Sequence, residues 1–284
     1  MFDTLVISGG GIKGFSTLGA VQFFHGQGML DSITTYCGCS IGSVLCLLLN
    51  CGYTPLEVLA RLSTIDLMHL MKTASGMFNV LKTFGFINID DFATQIEILV
   101  RKRFDRVPTL EELYRLTNKK IIIAVTNATL GKAEYLDYEN SPGLSCIEAI
   151  KMSCNLPLVF QRVTYNGALY VDGGLLDNFP ILYVDKKGEW NSILGIKTTI
   201  GSSTTSHSPD NLPSYLYRLL FIPIGEIERM RLETLSDRCY VVSIPVDNTS
   251  VIDFAIDTQD RKDMFNGGYA KAKSIWETNP YEWI

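Results

Sequence analysis

The five residues Gly38-Cys39-Ser40-Ile41-Gly42 constrain this chain more than any other segment. Before them, Ile33 to Cys37 is rich in β-branched and aromatic residues; after them, Ile41 to Leu49 is apolar and free of charge and proline. The pattern predicts a strand that turns sharply into a buried helix, with Ser40 at the turn. Glycines two residues to either side remove the Cβ atoms that so tight a turn would drive together. A hydroxyl held there in a strained backbone, at the positive end of a helix with free amides, is suited to act as a nucleophile. Gly-x-Ser-x-Gly also arises by chance in loops of a chain with 23 glycines, and the strand before and helix after are what favour the nucleophile.

A second glycine-rich loop follows the first strand. Leu5 to Ser8 reads as a buried strand and Phe15 to Phe24 as the helix after it, so Gly9, Gly10, Gly11 and Gly14 stand where a dinucleotide-binding fingerprint would stand. That reading wants an acidic residue at the end of the second strand, roughly 20 residues on, to hold a ribose. The second strand ends instead at Cys39-Ser40, with Asp31 ahead of it. The same glycines serve equally well as an oxyanion hole, because successive amides without side chains can close around one anionic oxygen. Lys13 either adds positive charge to that loop or is a solvated lysine at the turn.

A serine nucleophile needs a proton acceptor, most often a histidine oriented by a carboxylate. The chain has three histidines. His25 falls near the end of the first helix, His69 lies in the apolar run Leu67 to Met71, and His207 sits in the polar stretch Gly201 to Pro209. Only His207 follows Asp172 in the Ser, Asp, His order of α/β-hydrolases, so a triad rests on it alone. Asp172 is the better base. It ends a short strand, Leu169 to Val171, and Gly173-Gly174 forces a turn directly after it. Taken by itself, Asp172-Gly173 reads as a hairpin turn. As a base, its carboxylate requires burial and a short hydrogen bond to the hydroxyl, since an ordinary carboxylate with a pKa of about 4 is weak toward serine.

The neighbours of Asp172 change its weight: Ala149 to Phe160 on one side, then Tyr170-Val171-Asp172-Gly173-Gly174-Leu175-Leu176-Asp177-Asn178-Phe179-Pro180. Together with Gly9 to Gly14 and Gly38 to Gly42, this order of motifs resembles the patatin-like phospholipase family, over about residues 4 to 200. The resemblance implies a Ser-Asp dyad without histidine, with Ser40 as nucleophile, Asp172 as general base and the amides of Gly10 and Gly11 as oxyanion donors. It also implies a three-layer α/β fold, a mixed and largely parallel sheet between helices, and hydrolysis of acyl esters of phospholipids or related lipids. No metal or organic cofactor is called for. Cys154-Asn155 stand where family members often carry small residues, a departure that touches local packing.

Bulk properties agree with such a chain. With 284 residues, 46% of them hydrophobic, and no recognisable linker, one domain over residues 1–284 is expected. A net charge of −5 disfavours nucleic acid as the main partner, and no basic run suggests anionic head groups as the docking target. Seven cysteines without a Cys-x-x-Cys pair read as buried free thiols in a reducing, cytoplasmic setting. The Met1-Phe2-Asp3-Thr4 start carries no basic region and reads as part of the fold. No apolar run reaches the ~18 residues that span a bilayer, so access to a lipid substrate is expected through transient, peripheral contact with a membrane surface. Leu67 to Phe86, rich in Met, Phe and Leu, reads either as a lid or as a buried helical pair. Tyr215 to Ile224 reads as a core helix stopped before Pro223, with a cover over the site as the alternative. Thr109 with Glu112 predicts a capped helix to Thr117; Ile121–Thr126, Ser192–Thr198 and Cys239–Ile244 predict strands, and Asp260–Trp276 a late helix.

Overall fold

The computed structural model describes residues 1–65, 85–200, 212–246 and 256–278. In chain order the strands are β1 (Thr4–Ile7), β2 (Thr35–Cys39), β3 (Gly85–Ile87), β4 (Lys120–Asn127), β5 (Lys132–Leu136), β6 (Leu158–Phe160), β7 (Val163–Tyr165), β8 (Ala168–Asp172), β9 (Ile193–Ile200) and β10 (Cys239–Val246). The helices are α1 (Gly14–Gly26), α2 (Ile41–Asn50), α3 (Pro55–Leu62), α4 (Ile89–Phe104), α5 (Leu110–Thr117), α6 (Cys146–Ser153), α7 (Gly174–Asp177), α8 (Ile181–Lys187), α9 (Leu212–Leu232) and α10 (Thr258–Thr278). A short 3-10 turn, Gly11–Lys13, leads into α1.

The main sheet runs β10-β9-β1-β2-β4-β8-β7, with β5 also paired to β4. From β10 to β4 every pairing is parallel; β5 and β8 pair antiparallel with β4, and β7 antiparallel with β8. The continuous apolar runs of β1 and β4 follow from this position, because a parallel strand inside a sheet covered on both faces buries every side chain. Leu5, Val6, Ile7 and Ile121 to Val125 are all at most 2% exposed. One face packs on α1, α2, α4, α5, α6 and α10 in the main core; the other packs Val6, Cys37, Ile122 and Cys239 against Phe179, Ile181 and Val184 at and before α8. Helices, mostly parallel sheet, helices: the three layers expected from the motif resemblance are present.

The register around β4 positions the site. β2 pairs with β4 up to Cys39 opposite Ala124. β5 occupies Ile123 to Asn127 of β4, and β8 pairs with Val125 to Asn127. A strand has two edges, so β8 lies on the edge that β2 uses and begins where β2 stops. The two strands therefore meet end to end along β4, with Cys39 opposite Ala124 and Asp172 opposite Val125. Asp172 was expected at the end of a strand, and it is, on a strand that runs against the parallel set.

Local signals explain several boundaries. Thr109 and Glu112 form a complete capping box at the start of α5, and Thr54 and Glu57 another at α3. Helix α1 crosses α10 backbone to backbone: a Cβ on Gly19 would fall on the carbonyl of Phe265, and one on Gly268 on the carbonyl of Ser16. One expectation is overturned. The helix beginning at Leu212 does not stop before Pro223 but runs through it to Leu232, and Tyr215, Leu219 and Ile222 are exposed rather than in the core. Proline deprives the carbonyl of Leu219 of its donor, and Leu219 is on the exposed side, where water can replace it. Of the stretch Leu67 to Phe86, residues 67–84 lie outside the described residues, and Gly85 and Phe86 belong to β3.

Candidate active site

Ser40 joins β2 to α2 at φ 51° and ψ −130°, a combination that non-glycine residues avoid and that a well-packed surrounding has to enforce. The enforcement is visible. A Cβ on Gly38 would lie 2.6 Å from the carbonyl carbon and oxygen of Gly42, and one on Gly42 would lie 2.5 Å from the carbonyl oxygen of Ser8. Strand, helix and β1 thus touch through bare backbone, and no other residue type fits. The Ser40 carbonyl accepts from the Ser43 amide at 2.9 Å and the Ser43 hydroxyl at 2.6 Å. The Ser40 amide donates to Ser153 Oγ at 2.9 Å, and Ser153 Oγ donates in turn to the Ala124 carbonyl at 2.7 Å.

Ser40 Oγ donates to Asp172 Oδ2 at 2.6 Å. The other carboxylate oxygen accepts from the Gly174 amide at 2.7 Å, and Cys39 Sγ stands 3.8 Å from it. Asp172 is 3% exposed. Burial penalises its charge and pushes its pKa up to about 6, while the bonds from Ser40, Gly174 and Cys39 pull the other way. The turn that ends β8 depends on Gly173, whose Cβ would strike the carbonyl of Ala124 and sit 3.0 Å from Cys39 Sγ. The hairpin turn of this region lies elsewhere, at Asn166-Gly167, where both residues have positive φ and join β7 to β8. That leaves Asp172-Gly173-Gly174 to lead from strand into α7.

The glycine-rich loop lies against the same point. From Thr4 to Val21 only Gly10 and Gly11 are more than buried, and from Thr35 to Cys51 only Ser40 and Ile41. These two pairs are the partly exposed points of the two turns, which touch where a Cβ on Gly9 would lie 3.2 Å from the Ser40 Cβ. The four loop glycines differ in what their amides do. Gly9 donates to the Asn178 carbonyl at 2.9 Å, and Gly14 donates back to Gly11 and Ile12. The amides of Gly10 and Gly11 make no hydrogen bond within the described residues, and those at the start of α2 have no carbonyl in their own helix to reach. Gly14 has a different use: a Cβ there would meet the Ile41 side chain at 2.7 Å. Lys13 is not solvated. It is 8% exposed, and burial, with no carboxylate acting against it among the described residues, lowers its pKa.

The pattern that defines the patatin-like phospholipase family matches residues 5–185, which contain all three glycine motifs. The chain belongs to the patatin-like phospholipase family. A relative named a probable lipid hydrolase of Invertebrate iridescent virus 6 is 32% identical over 211 residues, 72% of this chain and 71% of that one. VipD from Legionella pneumophila matches the fold with a TM-score of 0.57 at 18% identity, over 98% of this chain and 67% of VipD. Human GIVD cytosolic phospholipase A2, in complex with methyl gamma-linolenyl fluorophosphonate, matches with 0.51 at 11% identity, over 97% of this chain and 57% of that one. At these identities the two structures speak for the fold.

Within this patatin-like chain, one group escaped sequence reasoning. Ser153 ends α6 and ties the Ser40 amide to β4, while its carbonyl accepts from the Gly173 amide at 3.4 Å. Two residues on, the Asn155 carbonyl accepts from the Asp172 amide at 2.8 Å, and its side-chain amide donates to the Tyr170 carbonyl at 2.8 Å. The segment Ser153-Cys154-Asn155 therefore stitches the Ser40 turn to the Asp172 turn. Cys154 is buried there, and with Cys39 has its thiol pKa driven well up by burial. All seven cysteines are free and buried. His25 is exposed in the last turn of α1, and His69 and His207 lie outside the described residues. Among the described residues no helix is long and apolar enough to cross a membrane.

Proposed function

We propose that this protein is a lipid acyl-ester hydrolase of the phospholipase A or lysophospholipase type, working through a Ser40–Asp172 dyad and a covalent acyl-enzyme. The observation that carries this reading is the 2.6 Å bond from Ser40 Oγ to a carboxylate whose pKa burial holds at about 6. A base with a pKa just below neutrality is ionised at pH 7 and still accepts a proton readily. Asp172 takes the Ser40 proton as Oγ attacks the ester carbonyl, and the oxyanion is received by the amides of Gly10 and Gly11. The acyl–oxygen bond then breaks, Asp172 passes its proton to the departing alcohol, and Ser40 carries the acyl group. Water, deprotonated by Asp172, releases the fatty acid and restores the serine. The lipid assignment is supported by family membership and by the lipid-hydrolase relative.

The test is hydrolysis of a short chromogenic ester by the parent, Ser40→Ala, Asp172→Asn and His207→Ala. Removing either member of the dyad is expected to lower kcat by about 1,000-fold or more, while His207→Ala stays near the parent. A fluorophosphonate probe should label Ser40 and nothing in Ser40→Ala. Retained activity in Ser40→Ala overturns the reading, and loss in a folded His207→Ala replaces the dyad with a triad. Incubation with a mixed lipid extract, with Ser40→Ala as control, identifies the lipid class from the fatty acids and lysolipids released.

A further inference from the structure

Helix α9 carries on its outer side a set of residues that a water-facing helix does not need. Of the twelve large apolar residues exposed among the described residues, six lie on this helix: Tyr215, Leu216, Leu219, Ile222, Ile227 and Met230, at 38% to 61% exposure. The other six are scattered one to an element. At 3.6 residues per turn the six on α9 fall within one sector of about 140°. Pro223 is exposed in the same sector, and the charge that enters it, Glu226, is neutralised by Arg229 at 2.6 Å.

The opposite side of α9 is fastened to the frame of the candidate active site. Phe221 packs with the Ile87 and Val159 cluster, beside the segment that follows Ser153. Glu228 pairs with Lys197 and accepts from Asn178 Nδ2 at 3.3 Å, and Arg231 binds Asp177 at 2.6 Å. Asp177 and Asn178 lie five and six residues beyond the base, and the Asn178 carbonyl holds the Gly9 amide. The helix is thus braced from within by the same residues that shape the dyad, and its apolar sector is turned away from them.

We infer that the outer face of α9 is the surface by which the protein docks on a zwitterionic lipid interface. This rests on the lipid-hydrolase reading above. The apolar area offered is roughly 500 Å², at the upper end of what a soluble monomer leaves exposed in one patch. Its flanking charges are of both signs, so attraction to anionic head groups is not its basis, and apolar insertion is.

Phosphatidylcholine vesicles provide the test. The double variant Ile222→Asn, Met230→Asn should fold and melt like the parent and cleave a soluble short-chain ester at the parent rate, while vesicle co-sedimentation and hydrolysis of vesicle lipid each fall about 10-fold. Tryptophan emission of Ile222→Trp should shift to the blue on adding vesicles. The inference is overturned if the double variant binds and hydrolyses vesicles like the parent, or if the Ile222→Trp emission does not move. It is equally overturned if the substitutions only dissolve a dimer seen by size exclusion, which would give this face to a second copy of the chain. A parent that binds vesicles through this face yet cleaves neither substrate refutes the hydrolase reading and leaves the docking surface standing.

Discussion

The two strands that meet on the edge of β4 reach the same point by unlike means. β2 lies between β1 and β4, paired in parallel on both sides, buried over its whole length and followed by a buried helix. β8 touches β4 through three residue pairs, and beyond it, among the described residues, the sheet ends with the three-residue β7. The hydroxyl is therefore held between a fully buried strand and a buried helix, whose close packing can sustain a strained backbone at Ser40. The carboxylate is held by a hairpin resting on one strand, with the bonds that the Asp172 and Gly173 amides donate to the Asn155 and Ser153 carbonyls, and that of the Gly174 amide to the carboxylate, adding support. Strain is placed where packing overdetermines it, and the titrating group where a few directed bonds set its environment.

Glycine replacements on the two sides should separate these roles most strongly. Gly42→Ala drives a methyl into the carbonyls of Ile7 and Ser8 at the centre of the sheet, and is expected to cost more than about 4 kcal/mol in urea unfolding. Gly173→Ala meets Ala124 and Cys39, but β8 can yield toward the edge. Its expected result is a chain that unfolds only about 1–2 kcal/mol more easily and has lost about 1,000-fold in ester hydrolysis. Equal destabilisation by the two would remove the distinction.

Ser153→Ala attacks the link between the sides. It deprives the Ser40 amide of its acceptor, with an expected cost of about 1–3 kcal/mol and a 10- to 100-fold fall in kcat at little changed KM. A change in stability without a change in kcat would reduce Ser153 to a structural residue.

The pH dependence sharpens the picture of the base. Activity should rise with pH through an acid limb near pH 6, where Asp172 ionises. Because the folded chain holds this proton more tightly than the unfolded one, the stabilisation is whole below about pH 4 and is lost as pH rises through 6, by at most about 3 kcal/mol. Asp172→Asn cannot lose it, so its stability relative to the parent should improve between pH 4.5 and 7.5 in matched urea titrations. The smallest expected effect is Thr109→Ala, which removes the cap of α5 far from either strand: about 1 kcal/mol of stability and no change in hydrolysis.

Much of the frame was readable from local pattern. The strands β1, β2, β4, β9 and β10 sit within two residues of their predicted positions, because buried parallel strands write continuous apolar runs. The capping box fixed α5 to the residue. What escaped was non-local. Ser153 carries no signal of its own, since a serine at a helix end is common and its partner lies 113 residues away. Asn166-Gly167 between two β-rich runs is a local hairpin signal, and it carries the direction of β8. That the amide of Gly9 is engaged follows from the Asn178 carbonyl, 169 residues distant, and no spacing rule reaches so far. Pro223 misled because a proline stops a helix by default, and exposure of the turn before it is a tertiary fact.

The glycine-to-glycine crossing of α1 and α10 bears on synthesis. The helix that follows the glycine-rich loop is clasped by residues near position 268, and strand β1 beneath it needs β9 as a neighbour. A growing chain leaving the ribosome therefore owns its serine long before it owns the scaffold that strains and aims it. On the proposed mechanism, ester hydrolysis is expected only after α10 has been synthesised and has docked on α1.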